Sequence, residues 1–123
     1  MAWICDEILD AALQYIETNA ENLYITNAEA TTFLQASATF LLGTKAAPTF
    51  TGPGPGDVSG RKTTVDAITD GAVTVTDTAT HWALTDDSES LLLVTGSLAA
   101  PQVVTNGNVF TLAAFDIEFP DPA

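Results

Sequence analysis

Ala79-Thr-His-Trp-Ala-Leu-Thr-Asp-Asp-Ser-Glu-Ser-Leu-Leu-Leu-Val-Thr-Gly-Ser-Leu98, then Gln102-Val-Val-Thr-Asn-Gly-Asn-Val-Phe-Thr-Leu112, then Phe115-Asp-Ile-Glu-Phe-Pro120, carries the reading of the fold. Short runs rich in β-branched, aromatic and aliphatic residues alternate with tight polar turns. Thr80, Trp82 and Leu84 share one face of a strand, with Ala79, His81 and Ala83 on the other, because successive side chains point to opposite faces. Asp86–Ser88 reads as a turn into a strand over Ser90–Thr95. Asn106-Gly107 reads as a hairpin between Gln102–Thr105 and Val109–Leu112, since this pair readily takes positive φ. Phe115, Ile117 and Phe119 form the apolar face of a last strand, which Pro120 and Pro122 stop.

Upstream the same period continues. Lys62–Thr69 alternates as a half-buried strand, Asp70-Gly71 gives a second hairpin signal, and Ala72–Asp77 follows with Val73 and Val75 on one face. The spacing predicts a mainly β chain of about seven to eight short antiparallel strands, arranged as a β-sandwich or small barrel.

The first sixty residues differ. Residues 3–19 predict one α-helix: Ile4, Ile8, Ala11, Ala12, Tyr15 and Ile16 recur at helical spacing, and Leu9 and Leu13 widen the stripe. Asp6, Glu7 and Asp10 lie in its first turns, where negative charge suits the helix dipole. The helix is expected either to cap an open end of the β-core or to dock on a neighbouring subunit, with Trp3 as an anchor in front of it. Leu23–Thr26 predicts a short strand and Asn27–Thr31 a turn. Thr32–Ala38 is open between a helical turn and an irregular loop held by Phe33, and Thr39–Leu42 predicts a strand ended by Gly43. From Ala46 to Gly60 proline and glycine alternate, so neither helix nor central strand is expected, but a packed loop or an extended arm. Length points to one domain over 1–123, with the helix, irregular segment and arm in 1–60 and the β-core in 61–123.

Composition narrows the function. Sixteen acids against Lys45, Arg61 and Lys62 give a formal net charge of −13. Such a chain repels phosphate backbones, so no nucleic-acid partner is expected. No apolar run is long enough to span a bilayer and no basic segment precedes an apolar one, so a soluble chain made in the cytoplasm, without a membrane partner, is expected. Cys5 is the only cysteine, which rules out an intramolecular disulfide.

Side chains able to do chemistry are scattered. His81 has Trp82 beside it and no acid nearby in sequence, so it lacks the partner that orients a general base. Cys5, among apolar residues, reads as an inert thiol. Asp86-Asp87-Ser88-Glu89 lacks the alternating acids, central glycine and later glutamate of a calcium loop, and reads as a polar turn. Gly52–Gly56 is followed by no Gly-Lys-Ser/Thr, and its prolines remove backbone donors a phosphate would need. No catalytic, cofactor-binding or metal residue is assigned, and the chain is expected not to be an enzyme.

The Ala79–Phe119 pattern of short strands, together with the helix over Asp6–Ile16 and Asn22-Leu-Tyr-Ile-Thr-Asn-Ala-Glu-Ala-Thr-Thr32, resembles small virion proteins of tailed bacteriophages, of the capsid decoration (cement) or minor structural type. The resemblance implies a structural protein on the outer surface of a phage head, bound to the major capsid protein and to other copies of itself as a dimer or trimer. A tail, fibre or baseplate component is the alternative. The acidic surface agrees with the outside of a shell rather than its genome-facing interior. Contacts with the partner are expected from Trp3, Ile4 and Glu7 at the helix, and from Phe50, Arg61 and Lys62 in and after the Pro/Gly segment.

Overall fold

A computed structural model describes residues 4–57 and 59–120. In chain order these form helix α1 (Asp6–Asn19) and strands β1 (Asn22–Thr26), β2 (Leu41–Ala46), β3 (Phe50–Pro55), β4 (Arg61–Val65), β5 (Ile68–Val73), β6 (Asp77–Asp86), β7 (Leu91–Val104), β8 (Val109–Leu112) and β9 (Phe115–Phe119). The chain is mainly β, with two antiparallel sheets and an N-terminal helix, consistent with a sandwich or small barrel. It divides into two compact units that do not follow a boundary at residue 60. One comprises Met1–Asn19, Thr49–Ala67 and Ala113–Ala123, and the other Ala20–Pro48 and Ile68–Leu112.

The first unit holds α1 and a three-stranded sheet in the order β3-β4-β9. The expected alternation of β4 is present: Thr63 and Val65 are buried, whereas Lys62 and Thr64 lie on the other face. Thr63 pairs with Ile117 and Val65 with Phe115, so the apolar residues of β9 continue the buried face. Within the Pro/Gly segment Phe50–Pro55 is a strand rather than a loop or arm, with short non-strand connections at 47–49 and 56–57. Proline removes a donor but keeps its carbonyl, so it is tolerated on a sheet edge, which is where β3 lies. Its register slips between Thr51 and Gly54. Gly52 there has φ +130, and an added Cβ would lie 3.1 Å from the Lys62 carbonyl oxygen.

The second unit is a curled six-stranded sheet in the order β7-β6-β1-β2-β5-β8. Its middle strands are covered on both sides, so burial is continuous along Leu23–Thr26 and Trp82–Asp86 instead of alternating. Tyr24 and Ala83 of the sheet cluster with Ala30 and Ala36 from the connection between β1 and β2, and Phe40, Leu41 and Leu92 pack against them. The ambiguous segment after Thr32 is helical: a turn through Phe33 and Leu34 widens into a π-helical turn over Gln35–Thr39, which buries Ala36.

Three turn readings are corrected, each by an aromatic ring or a ladder. Asp70-Gly71 makes no hairpin; β5 runs through it with a register shift between Ile68 and Gly71. Gly43 does not end a strand, because β2 continues to Ala46. Both glycines lie under Phe110 of β8. A Cβ on Gly43 would come 3.1 Å from its Cδ1, and one on Gly71 would come within 2.6 Å of Cδ1 and nearer still to Cε1 and Cζ. Gln102–Thr105 is not a separate strand but the end of β7. Asn106-Gly107 is a turn, with Gly107 at φ +90, but it joins the two opposite edges of the sheet rather than a paired hairpin. The turn is fastened to β5, since Gly107 N–H donates to the Val73 carbonyl and Val73 N–H to that of Asn108, both at 3.0 Å.

Candidate partner-binding surface

The residues expected to meet a partner fall, where described, in the unit built on α1. Trp3 lies outside the described residues. Ile4 is half-buried just before the helix, and Glu7 is exposed in its first turn beside Asp6. Phe50 is half-buried on β3, paired with Val65. Arg61 and Lys62 are adjacent in sequence and therefore on opposite faces of β4.

Helix α1 is fastened by one face. Leu9, Leu13 and Ile16 are buried, and the helix packs over β3 and β4. Asp10 and Glu17, seven positions apart and so on one side, tie it to β4 by polar bonds. Arg61 Nε and Nη2 donate to the two Asp10 oxygens at 2.7 and 3.2 Å, and Thr63 Oγ1 donates to Glu17 Oε2 at 2.5 Å. The Asp10 hydrogen bond holds the Arg61 guanidinium above its ordinary range. At its end, Asn19 Nδ2 donates to the Tyr15 carbonyl at 2.9 Å, satisfying one of the orphan acceptors of the last turn.

A second apolar stripe on the same helix is left outward. Ile8 and Tyr15 are 61% and 51% exposed, and Ala11 and Ala12 between them are exposed too. The sequence shows both stripes, but helical period alone does not say which one the sheet takes. The signal that separates them is Asp10 and Glu17, whose side of the helix faces Arg61 and Thr63.

Lys62 on the polar face of β4 is held by Asp57 at 2.5 Å and Asp116 at 3.1 Å, and these two bonds, Asp57 first, raise its pKa. Asp116 is in turn lowered, by the Thr64 hydroxyl and then by Lys62. Lys45 pairs with Asp70 at 3.0 Å. Every Lys and Arg of the chain therefore sits in an intramolecular ion pair, and the exposed carboxylates elsewhere set the sign of the surface.

The remaining candidates of the sequence reading lie in the other unit or take up local bonds. His81 is half-buried in β6, with Nδ1 2.8 Å from Thr80 Oγ1. Cys5 is half-buried before α1, its carbonyl accepting from Ile8 and Leu9. The acidic run folds as a 3₁₀ turn over Asp87–Glu89 between β6 and β7. Glu21 Oε1 accepts from Ser88 N–H at 2.7 Å, and Asp87 accepts from Tyr24 Oη at 2.5 Å and Thr85 Oγ1 at 2.6 Å. A hydrogen bond shared with Glu21, reinforced by burial, raises the Asp86 pKa, while Ser88 chiefly lowers that of Glu21. Burial pushes Asp87 up, but the Thr85, Tyr24 and Asn22 bonds together outweigh it and lower its pKa. Among the described residues no group of three or more His, Cys, Asp or Glu is arranged to hold a metal ion.

Tyr24 gives this network a readable signature. Burial, then the bond to Asp87, pushes its hydroxyl from 10.0 up to about 12. In a Tyr15→Phe variant, which leaves Tyr24 as the only tyrosine, ultraviolet titration is expected to show phenolate appearing near about 12 rather than about 10. A pKa raised on folding contributes stability below the unfolded value and loses it as pH rises to the folded one, so unfolding is expected to become easier between those two values. A midpoint near 10 in the folded variant would show that the Tyr24 hydroxyl is neither buried nor bonded to Asp87.

No protein-family model matches the chain, and neither the curated proteins nor the solved structures compared with it include a significant match.

Proposed function

We propose that this chain is a non-enzymatic virion structural protein, a capsid decoration (cement) protein that binds the outer surface of a phage head and stabilises it. The observation that carries the reading is α1, which is anchored by Leu9, Leu13 and Ile16 and turns Ile8 and Tyr15 outward. A helix needs only one apolar face to hold it to its own sheet; a second one on a chain this acidic serves a partner. The net charge of −13, with all three Lys and Arg neutralised internally, suits a basic or neutral protein surface and opposes the packaged genome. The partners are the major capsid protein and further copies of the chain. Ile4 and Glu7 at the start of α1 border this surface. Arg61 and Lys62 support it indirectly, by holding Asp10, Asp57 and Asp116.

The test uses particles of the phage whose genome carries the chain, imaged with and without it. Density for the chain on the head is the expected result. Density at the tail would favour an adhesion or assembly role there, and its absence from particles would overturn the reading. Replacing Ile8 and Tyr15 together by Gln keeps helix propensity and charge, so folding stability should change by no more than about 0.5 kcal/mol per site. Head occupancy should nevertheless fall steeply. Full occupancy with the double variant would remove α1 from the contact.

A further inference from the structure

The acids of this chain are unevenly placed. No Asp, Glu, Lys, Arg or His occurs from Ser90 to Phe115, although the chain as a whole carries sixteen acids. That stretch contains β7 and β8, which are the two edge strands of the six-stranded sheet. The sheet curls so that these edges approach: Gln102 Nε2 on β7 donates to the Thr111 carbonyl of β8 at 3.1 Å, and the Thr105–Asn108 turn joins them. On either side of this seam Val103 and Val109 are 79% and 65% exposed. Val75 is exposed close by, next to Thr76, whose hydroxyl accepts from Asn106 N–H at 2.9 Å.

Exposed edge strands of soluble proteins are ordinarily protected by charges, because their free backbone groups invite another strand. Here the strands at both edges are uncharged and apolar, whereas the other acid-free stretch, residues 30–56, carries Lys45 and lies on no edge of this sheet. A basic partner would be drawn to the acidic surfaces and gain nothing from a neutral one. A like-charged partner is in the opposite position, since it can approach only where no carboxylates are brought face to face. The like-charged protein that the chain always meets is its own copy, and internal ion pairs leave that copy no spare Lys or Arg with which to bridge the acids.

We infer that the uncharged seam of β7 and β8, centred on Val103 and Val109, is the surface through which two copies of this chain associate. The inference takes from the proposed function only that copies touch one another, and it is tested on the purified chain without particles. A failure here therefore leaves the virion reading standing, and absence from particles leaves this one standing.

Sedimentation velocity over a concentration series is the measurement, at low salt and at about 1 M salt, where the screening length falls to about 3 Å. A reversible dimer, tightened by salt because −13 meets −13, is the expected result. Val103→Asp with Val109→Asp places like charges across the contact and should weaken the dimer by more than about tenfold. Both side chains are mostly in solvent, so circular dichroism should be unchanged. As a check that needs no variant, amide exchange in Leu91–Val104 and Val109–Leu112 of the natural chain should slow as concentration rises. A monomer throughout the series at both salts would overturn the inference, as would a dimer indifferent to the two aspartates or exchange in these strands that ignores concentration.

Discussion

Replacing Phe110 with alanine is expected to cost about 3–5 kcal/mol of folding stability, as large-to-small changes of buried aromatics do. Phe110 is 2% exposed, and its ring fills the space above Gly43 and Gly71 that two side chains would otherwise occupy. Because both floor positions are glycines, the floor itself offers no side chain to fill the gap. The cost should therefore lie toward the upper part of that range. The reciprocal change tests the same geometry: Gly71→Ala should be strongly destabilising in the natural chain, since its Cβ would lie within 2.6 Å of the ring. In a Phe110→Ala background that penalty should largely disappear, because the obstructing ring is gone and the two sites are coupled through it. Chemical denaturation of the four variants measures the cycle, and additive effects would show that the ring does not rest on Gly71.

Trp82→Ala is the second large effect, again about 3–5 kcal/mol. Trp82 is 7% exposed on β6, the strand next to the edge strand β7, and its ring crosses to β7 and covers Gly96. A Cβ on Gly96 would come 2.6 Å from its Cζ2. Truncation opens both the face of β6 and the glycine beneath. Loss of tryptophan fluorescence change on unfolding complicates one probe, so the midpoint is best followed by far-ultraviolet dichroism. A variant that melts with the natural chain would place the indole in solvent and refute the packing. Phe115, the other aromatic the sequence marks for the core, is only half-buried on β9, so its truncation should cost less than either.

Much of the architecture is legible from periodicity alone. The alternation of Thr63 and Val65 with Lys62 and Thr64 and the apolar face of Phe115, Ile117 and Phe119 follow from the period of two, whereas Leu23–Thr26 is read from its short apolar run. What is not legible depends on residues far away in sequence. Asp70-Gly71 has the chemistry of a tight turn, and only Phe110, forty positions on, makes it the floor of a packed ring. The prolines of Phe50–Pro55 rule out a central strand but are silent on an edge. Of the candidate surface, the helix and its acids can be read. The outward stripe cannot be told from the inward one until Arg61 and Thr63 are seen to claim Asp10 and Glu17. Arg61 and Lys62, expected together among the contact residues, are sent by the pleat to opposite sides of the sheet.

The sheet β3-β4-β9 has a consequence for the order in which the chain can be assembled. Its middle strand must be flanked by Phe50–Pro55, close by in sequence, and by Phe115–Phe119, which a ribosome delivers more than fifty residues later. Until then the Arg61–Val65 backbone has one open side and the helix made at the start rests on an incomplete platform. Contacts so remote in sequence carry a large loop-closure penalty and are slow to form. A nascent chain paused before Phe115 therefore holds this unit unfinished, with one side of its middle strand still waiting for a partner.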